Sequence, residues 1–292
     1  MFARNQKIMA ITTIAVCGAG TMGRGIAQAA AQNNFKTILF DVNSAVLAKA
    51  KDTIVKSIDN LTVKGKLTQA QATQTLAQLH FTNNIADCKA DVVIEAIVEK
   101  LDAKVSLLQQ LAVVNTEATI LATNTSSIPV SAIAAAVPKP ERVAGMHFFN
   151  PATIMRLVEV VRGTHTNDAT IEALVTLAKQ LQKQPVVCKD APGFIVNRVA
   201  RPYYLEAMQL VTNGDVTDIV LIDEALQNSG FKMGPFALMD LIGLDINYSV
   251  SNIVWEALGQ PKRLTPSKLQ EAKVAAGALG KKTGKGFYNY TS

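Results

Sequence analysis

Aromatic side chains are scarce in this chain: phenylalanine, tyrosine and tryptophan make up 5% of it, and Trp255 is the single tryptophan. Proteins that hold single-stranded nucleic acid rely on aromatic stacking platforms, so a nucleic-acid role is not expected. Cysteine is scarcer still. Cys17, Cys88 and Cys188 are an odd set without C-x-x-C spacing, which argues against a disulfide framework or a cysteine zinc site and fits buried thiols in a reducing compartment. No bound metal is expected. No uncharged apolar run reaches the ~18 residues that suggest a membrane span, and the opening MFARNQKIMA lacks the apolar stretch of a secretory signal. A cytoplasmic protein without membrane contact is the expectation. Charge is only mildly one-sided: 29 Lys and Arg against 23 Asp and Glu leave +6, which suits an anionic small molecule as well as a polyanion.

Apolar content is ample. Hydrophobic residues make up 49% and charged ones 18%, enough for a sizeable core and incompatible with global disorder. At roughly 100–200 residues per domain, the 292 residues suggest two domains.

Residues 11–17 (ITTIAVC) form a short apolar, β-branched run ending at glycine, as a buried parallel strand does. GAGTMG follows, then a small-residue helix, GIAQAAAQNN, and a second strand, KTILFD, ending in Asp41. Strand, glycine turn, helix and strand within about 30 residues make a βαβ unit. Residues 42–80 read as a helical hairpin inserted after the second strand, its arms separated by Val63-Lys64-Gly65-Lys66 and its charge mostly lysine. Strand candidates recur at 91–97, 119–125, 142–148 and 156–162, followed by an amphipathic helix over 168–183 and a short strand, PVVCK. Asp190-Ala191-Pro192-Gly193 is punctuation, and the domain boundary is placed there. Beyond it the pattern is helical, with one long segment from about Phe194 to Thr212. The expected fold is α/β: a Rossmann-like, doubly wound, mostly parallel sheet over residues 1–190, then an all-α C-terminal domain over 191–292.

The glycine turn carries the first chemistry. Gly18 permits a tight turn, Gly20 lets backbone approach a pyrophosphate, and Gly23 allows close helix–strand packing. The helix that follows presents free amides and a positive dipole end to phosphates. Gly18, Ala19, Gly20, Thr21, Met22 and Gly23 are therefore expected to bind a dinucleotide. Asp41, 18 residues after Gly23, can accept hydrogen bonds from ribose hydroxyls and would repel a 2′-phosphate; Val42 and Asn43 follow it, and no adjacent arginine invites NADP. NAD is the expected cofactor.

The segment MHFFNPATIMRLVEVV (Met146–Val161) is the most informative. His147 sits among apolar residues, and Glu159 interrupts the apolar run Leu157–Val161, where a carboxylate is costly unless something satisfies it. They stand 12 residues apart on successive strand candidates, so an antiparallel return could join them as a general acid–base unit. A satisfied core histidine and a strand-end glutamate fit the segment equally well. Asn124-Thr125-Ser126-Ser127 follows a strand at the end where open α/β sheets bind ligands; the serines could equally cap the next helix. Asn197, one turn into the long helix at the domain junction, is a candidate substrate hydrogen bonder or an ordinary polar position.

Together these residues resemble the L-3-hydroxyacyl-CoA dehydrogenases, especially the short bacterial 3-hydroxybutyryl-CoA dehydrogenase type. The anchors are GAGTMG, IEAIVEKLDAK, NTSS, GMHFFNP, LVEVV, DAPGFIVNR, MGPFALMDLIGLD and GKKTGKGFY, running in order from about Ile11 to Tyr290. The resemblance implies that His147 is the catalytic base, that Glu159 orients it, that Ser126 contacts the substrate oxygen beside the nicotinamide, and that Asn197 completes the catalytic set. It implies NAD contacts for Glu99, Lys104, Ser126, Asn150 and Lys282, and coenzyme A contacts for Ser57, Lys64 and Ser126. An acyl-CoA substrate and a homodimer formed through the helical domain are likewise implied. The first ten residues are expected to be a frayed extension outside the family core. Two other readings remain: a hydroxyacid or sugar-acid dehydrogenase on the same scaffold, against which GMHFFNP and the lysine-bearing hairpin argue, and a non-catalytic NAD-binding structural protein.

Overall fold

In a computed structural model the described residues are 10–290; the expectation for the first ten residues therefore lies, Ala10 apart, outside them. The chain divides into two compact units, at Asp190 and Ala191.

The first unit alternates strands and helices. β1 (Thr13–Cys17), β2 (Lys36–Phe40), β3 (Leu79–Thr82), β4 (Val92–Glu95), β5 (Ile120–Thr123), β6 (Val143–Phe148), β7 (Leu157–Arg162) and β8 (Gln184–Lys189) form one eight-stranded sheet ordered β3-β2-β1-β4-β5-β6-β7-β8. Every neighbouring pair is parallel except β6 and β7, which are antiparallel. This is the Rossmann-like, mostly parallel sheet. Alternation along the strands sends Ile14 and Val16 of β1 into one hydrophobic cluster and Ala15 and Cys17 into another. The first cluster takes in α1 (Thr21–Gln32), α2 (Ser44–Val63) and α6 (Asp168–Gln180); the second takes in α4 (Leu101–Val114) and α5 (Val130–Ala135). Helices thus cover both faces, which is why strands such as VVIE and ILAT are wholly buried.

Local chemistry sets the helix starts. Asn43 caps α2 by accepting from the amides of Ala45 and Val46, and Thr68 with Gln71 closes a capping box on α3 (Gln69–Ala77). The structure corrects the hairpin at its far end. Helix stops at Ala77, and Leu79–Thr82 pairs in parallel with β2 as the edge strand β3, so residues 79 and 80 are sheet rather than helix. Four residues are too few to show a period of two against the helical pattern before them. β2 likewise stops at Phe40, one residue before Asp41, and α6 stops at Gln180, with Gln182 at φ 56°.

The second unit is helical: α7 (Val196–Asn213), α8 (Ile219–Asn228), α9 (Pro235–Ile242), α10 (Leu244–Ala257) and α11 (Lys268–Ala275). Its core gathers Tyr204, Leu205, Met208, Phe236, Met239 and Leu244. Two buried carboxylates organise it. Asp223 accepts from the amides of Phe236 and Ala237 and from Tyr288 OH, while Asp240 accepts from the amides of Phe287 and Tyr288 and from Tyr290 OH. The runs MGPFALMD and GKGFY are tied together by these bonds. Burial, then the neighbouring carboxylates, pushes both tyrosine hydroxyls well above their ordinary pKa. Among the described residues no helix is long and apolar enough to cross a membrane.

Candidate active site

β6 and β7 run antiparallel with His147 directly opposite Glu159, and opposed residues in such a pair hold their side chains close. His147 Nδ1 lies 2.7 Å from Glu159 Oε2, with the two residues 6% and 1% exposed. With the carboxylate ionised, Nδ1–H donates to it, which makes Nε2 the basic nitrogen of the ring. The Phe149 ring packs against the imidazole at a centroid distance of 4.6 Å. On the neighbouring strand β8, burial, followed by the charges of Glu159 and Asp190, pushes the Cys188 thiol up to about 12. It stays protonated and is no nucleophile.

β1, β4, β5 and β6 are parallel, so their carboxyl ends lie along one edge of the sheet, and the loops leaving that edge are knitted together. Asn124 Oδ1 accepts from the Phe148 amide at 2.8 Å, joining the loop after β5 to the end of β6. Glu99 Oε1 accepts from Thr125 Oγ1 (2.6 Å), the amides of Ser126 and Ser127 (2.9 and 3.1 Å) and Ser127 Oγ (2.9 Å). Lys104 Nζ lies 3.1 Å from Glu99 Oε2 and 2.8 Å from Glu95 Oε1. Burial would raise the Glu99 carboxyl, but Lys104 and the donors from Thr125 and Ser126 outweigh it and hold it below its ordinary value. Ser126 is half-buried, and Asn150 is exposed three residues beyond His147.

The glycine turn follows β1 on the same edge. Gly18 has φ +107°, and a methyl on it would lie 2.6 Å from the Ala96 carbonyl oxygen. A methyl on Gly23 would lie 1.7 Å from the Gly18 oxygen, whereas at Gly20, the N-cap of α1, nothing lies within 4 Å. The turn therefore packs tightly on its protein side and is open at the helix start, where no side chain caps α1. An anionic pyrophosphate fits there. Asp41 Oδ2 accepts from the Ala19 amide at 2.8 Å and Oδ1 from the Asn43 amide at 2.9 Å, which fixes a carboxylate beside that opening. These residues fit a dinucleotide.

The remaining expected residues are placed as follows. Ser57, half-buried on α2, accepts at Oγ from Gln28 Nε2 (3.0 Å); Lys64, the C-cap of α2, is exposed, as are Lys49, Lys51, Lys56 and Lys66. Lys104 is 1% exposed. Asn197 and Lys282 belong to the second unit. Asn197 is half-buried on α7, its carbonyl accepting from Arg201 Nε at 2.9 Å, and Lys282 Nζ is 2.6 Å from Asp245 Oδ1. Among the described residues no three His, Cys, Asp or Glu side chains are grouped to hold a metal. Sequence reasoning gave no role of its own to Glu95, to Asn124 within the NTSS run, or, beyond punctuation, to Asp190, whose Oδ1 and Oδ2 accept from the Val130 and Ser131 amides at the start of α5. Glu95 had a signal: like Glu159, it is a carboxylate in an apolar strand.

The family model described as "3-hydroxyacyl-CoA dehydrogenase, NAD binding domain" matches residues 13–191, and "3-hydroxyacyl-CoA dehydrogenase, C-terminal domain" matches residues 193–290. A 3-hydroxyadipyl-CoA dehydrogenase of Escherichia coli is 46% identical over 96% of this chain, which spans 59% of that relative's length. A Deinococcus radiodurans relative, "Probable 3-hydroxybutyryl-CoA dehydrogenase", is 43% identical over 94% of this chain and 99% of its own length. The crystal structure of (S)-3-hydroxybutyryl-CoA dehydrogenase from Ralstonia eutropha matches with a TM-score of 0.92 and 40% identity, over 97% of this chain and all of that one.

Proposed function

Because the chain belongs to the 3-hydroxyacyl-CoA dehydrogenase family, we propose that it interconverts (S)-3-hydroxyacyl-CoA and 3-ketoacyl-CoA with NAD, the favoured pair being 3-hydroxybutyryl-CoA and acetoacetyl-CoA. The observation that carries the reading is the buried 2.7 Å pair of His147 and Glu159 on the same sheet edge as the glycine turn. In oxidation, His147 Nε2 takes the proton of the substrate's C3 hydroxyl, and Glu159 stabilises the imidazolium that forms. In reduction the same nitrogen returns the proton to the ketone oxygen. Ser126 Oγ donates to that oxygen, and Asn197 positions the thioester. Bound NAD supplies the hydride acceptor, held by the turn Gly18–Gly23, by Asp41 at the ribose, and by Glu99, Asn150 and Lys282. Lys104, enclosed as it is, acts through Glu99. The exposed hairpin lysines face the phosphates of coenzyme A.

The protein works in the cytoplasm as a homodimer. Support for the dimer is the set of apolar side chains on the second unit, Leu221, Phe231, Leu241 and Ile246, each about half exposed or more. The deciding experiment follows nicotinamide absorbance in both directions, as NADH oxidation with acetoacetyl-CoA and as NAD reduction with free 3-hydroxyacids and sugar acids. Turnover confined to the thioester is expected. Turnover of the free acids alone would move the protein to hydroxyacid dehydrogenases on this scaffold, and no turnover would leave a binding protein.

A further inference from the structure

The first unit holds a second buried carboxylate, which the reaction above does not use. Glu95 ends β4 with no exposed surface, and both its oxygens are engaged. Oε1 accepts from the Ile97 amide (2.7 Å) and Lys104 Nζ (2.8 Å); Oε2 accepts from Thr123 Oγ1 (2.7 Å). From Glu95 two routes lead to the same loop. Through Lys104 the chain of contacts reaches Glu99 Oε2 at 3.1 Å, and Glu99 Oε1 takes the Ser126 and Ser127 amides. Through Thr123, whose Oγ1 also accepts from the Thr125 amide at 3.3 Å, it reaches the residue before Ser126. Two carboxylates share one ammonium, with Glu95 and Lys104 shut away from water and Glu99 a third exposed. A buried ion pair of this kind is a poor source of net stability, because an apolar pair of similar volume often serves as well. What it supplies is a fixed geometry.

We propose that Glu95 and Lys104 are a positioning pair that sets Glu99 and Thr123, and through them the place of the Ser126 hydroxyl. The inference rests on the reading of Ser126 as donor to the reacting oxygen. Neither member touches substrate; each acts through a neighbour. The pair also accounts for the burial of Lys104, which is 1% exposed although the family resemblance implies an NAD contact for it.

The test combines kinetics with amide exchange. In Glu95→Gln, kcat for acetoacetyl-CoA reduction should fall roughly tenfold, within the range of coupled contacts, with KM little changed. In a Ser126→Ala background the same substitution should cost less than about twofold, since the hydroxyl it positions is gone. Equal losses in both backgrounds overturn the pairing. An unchanged kcat in Ser126→Ala alone overturns the reading of Ser126 itself, a distinct failure. Independently of activity, hydrogen exchange of the Ser126 and Ser127 amides in the protein without cofactor should quicken in Glu95→Gln while the α4 amides hold; unaltered exchange overturns the proposal. Should Glu95→Gln fail to fold, Thr123→Val and Thr123→Ser make the same distinction. The serine keeps the hydroxyl and the rate, and the valine loses both; equal rates in the two variants count against the pair.

Discussion

At the scale of single residues, His147 and Glu159 are expected to behave as one unit. General acid–base groups contribute ~10²–10⁴ in rate, so His147→Gln should lower kcat by about that factor while NADH binding, which we assign to the glycine turn and Asp41, survives. Glu159→Gln should also lower kcat, because the imidazolium loses its stabilising anion. If Glu159 acts only through His147, the double variant is little worse than His147→Gln alone; fully multiplicative losses among folded proteins would separate the two residues. Glu99 gives a second handle, in pH. Its carboxyl lies below its ordinary value in the folded protein, so its contribution to stability is present above the unfolded pKa of about 4.3 and is lost as pH falls through the lower folded value. Between pH 6 and pH 3 the urea midpoint of Glu99→Gln should therefore fall less than that of the parent protein; equal falls would contradict the assignment. The sequence made Glu159 readable because a carboxylate breaks an apolar run. Glu95 offers the same break, yet its partners Thr123 and Lys104 lie 28 and 9 residues away, and one dimension does not show which residues fold onto which.

At the scale of elements, the α2–α3 hairpin is the one whose purpose rests most on charge. Lys64→Ala should raise KM for acetoacetyl-CoA more than it lowers kcat and leave KM for NADH alone. An N-acetylcysteamine thioester, which lacks the nucleotide, should show no such loss; the same loss with it would remove the hairpin from the coenzyme A site. The glycine turn and its helix were legible because each has a local signature; the antiparallel return of β7 was one of two readings that fitted equally well, and the pairing of His147 with Glu159 decides it. β3 was not: it is a strand only because β2 offers it an edge, and four residues carry no period of their own. In the second unit, MGPFALMD and GKGFY stood out as motifs, but their roles come from Asp223 and Asp240 meeting backbone amides far along the chain.

At the scale of the whole molecule, the apolar surface of the second unit predicts association. Leu241→Lys should shift the protein towards monomer in sedimentation velocity runs without lowering the helical content seen by circular dichroism; an unchanged sedimentation coefficient would place the interface elsewhere. The sheet of the first unit has its own exposed boundary. Among the described residues β8 pairs only with β7, and Val186 and Val187 stand exposed on it. Such an edge is a template for the wrong partner during synthesis, when many copies are half-made. Pro185 interrupts it by withholding a backbone donor, and exposed Gln184 and Lys189 keep its two ends hydrated. The strand thus limits colloidal self-association by its composition. Refolding of Pro185→Thr at high concentration should scatter more light than refolding of the parent chain, and equal turbidity would mean that the edge is shielded by some other means.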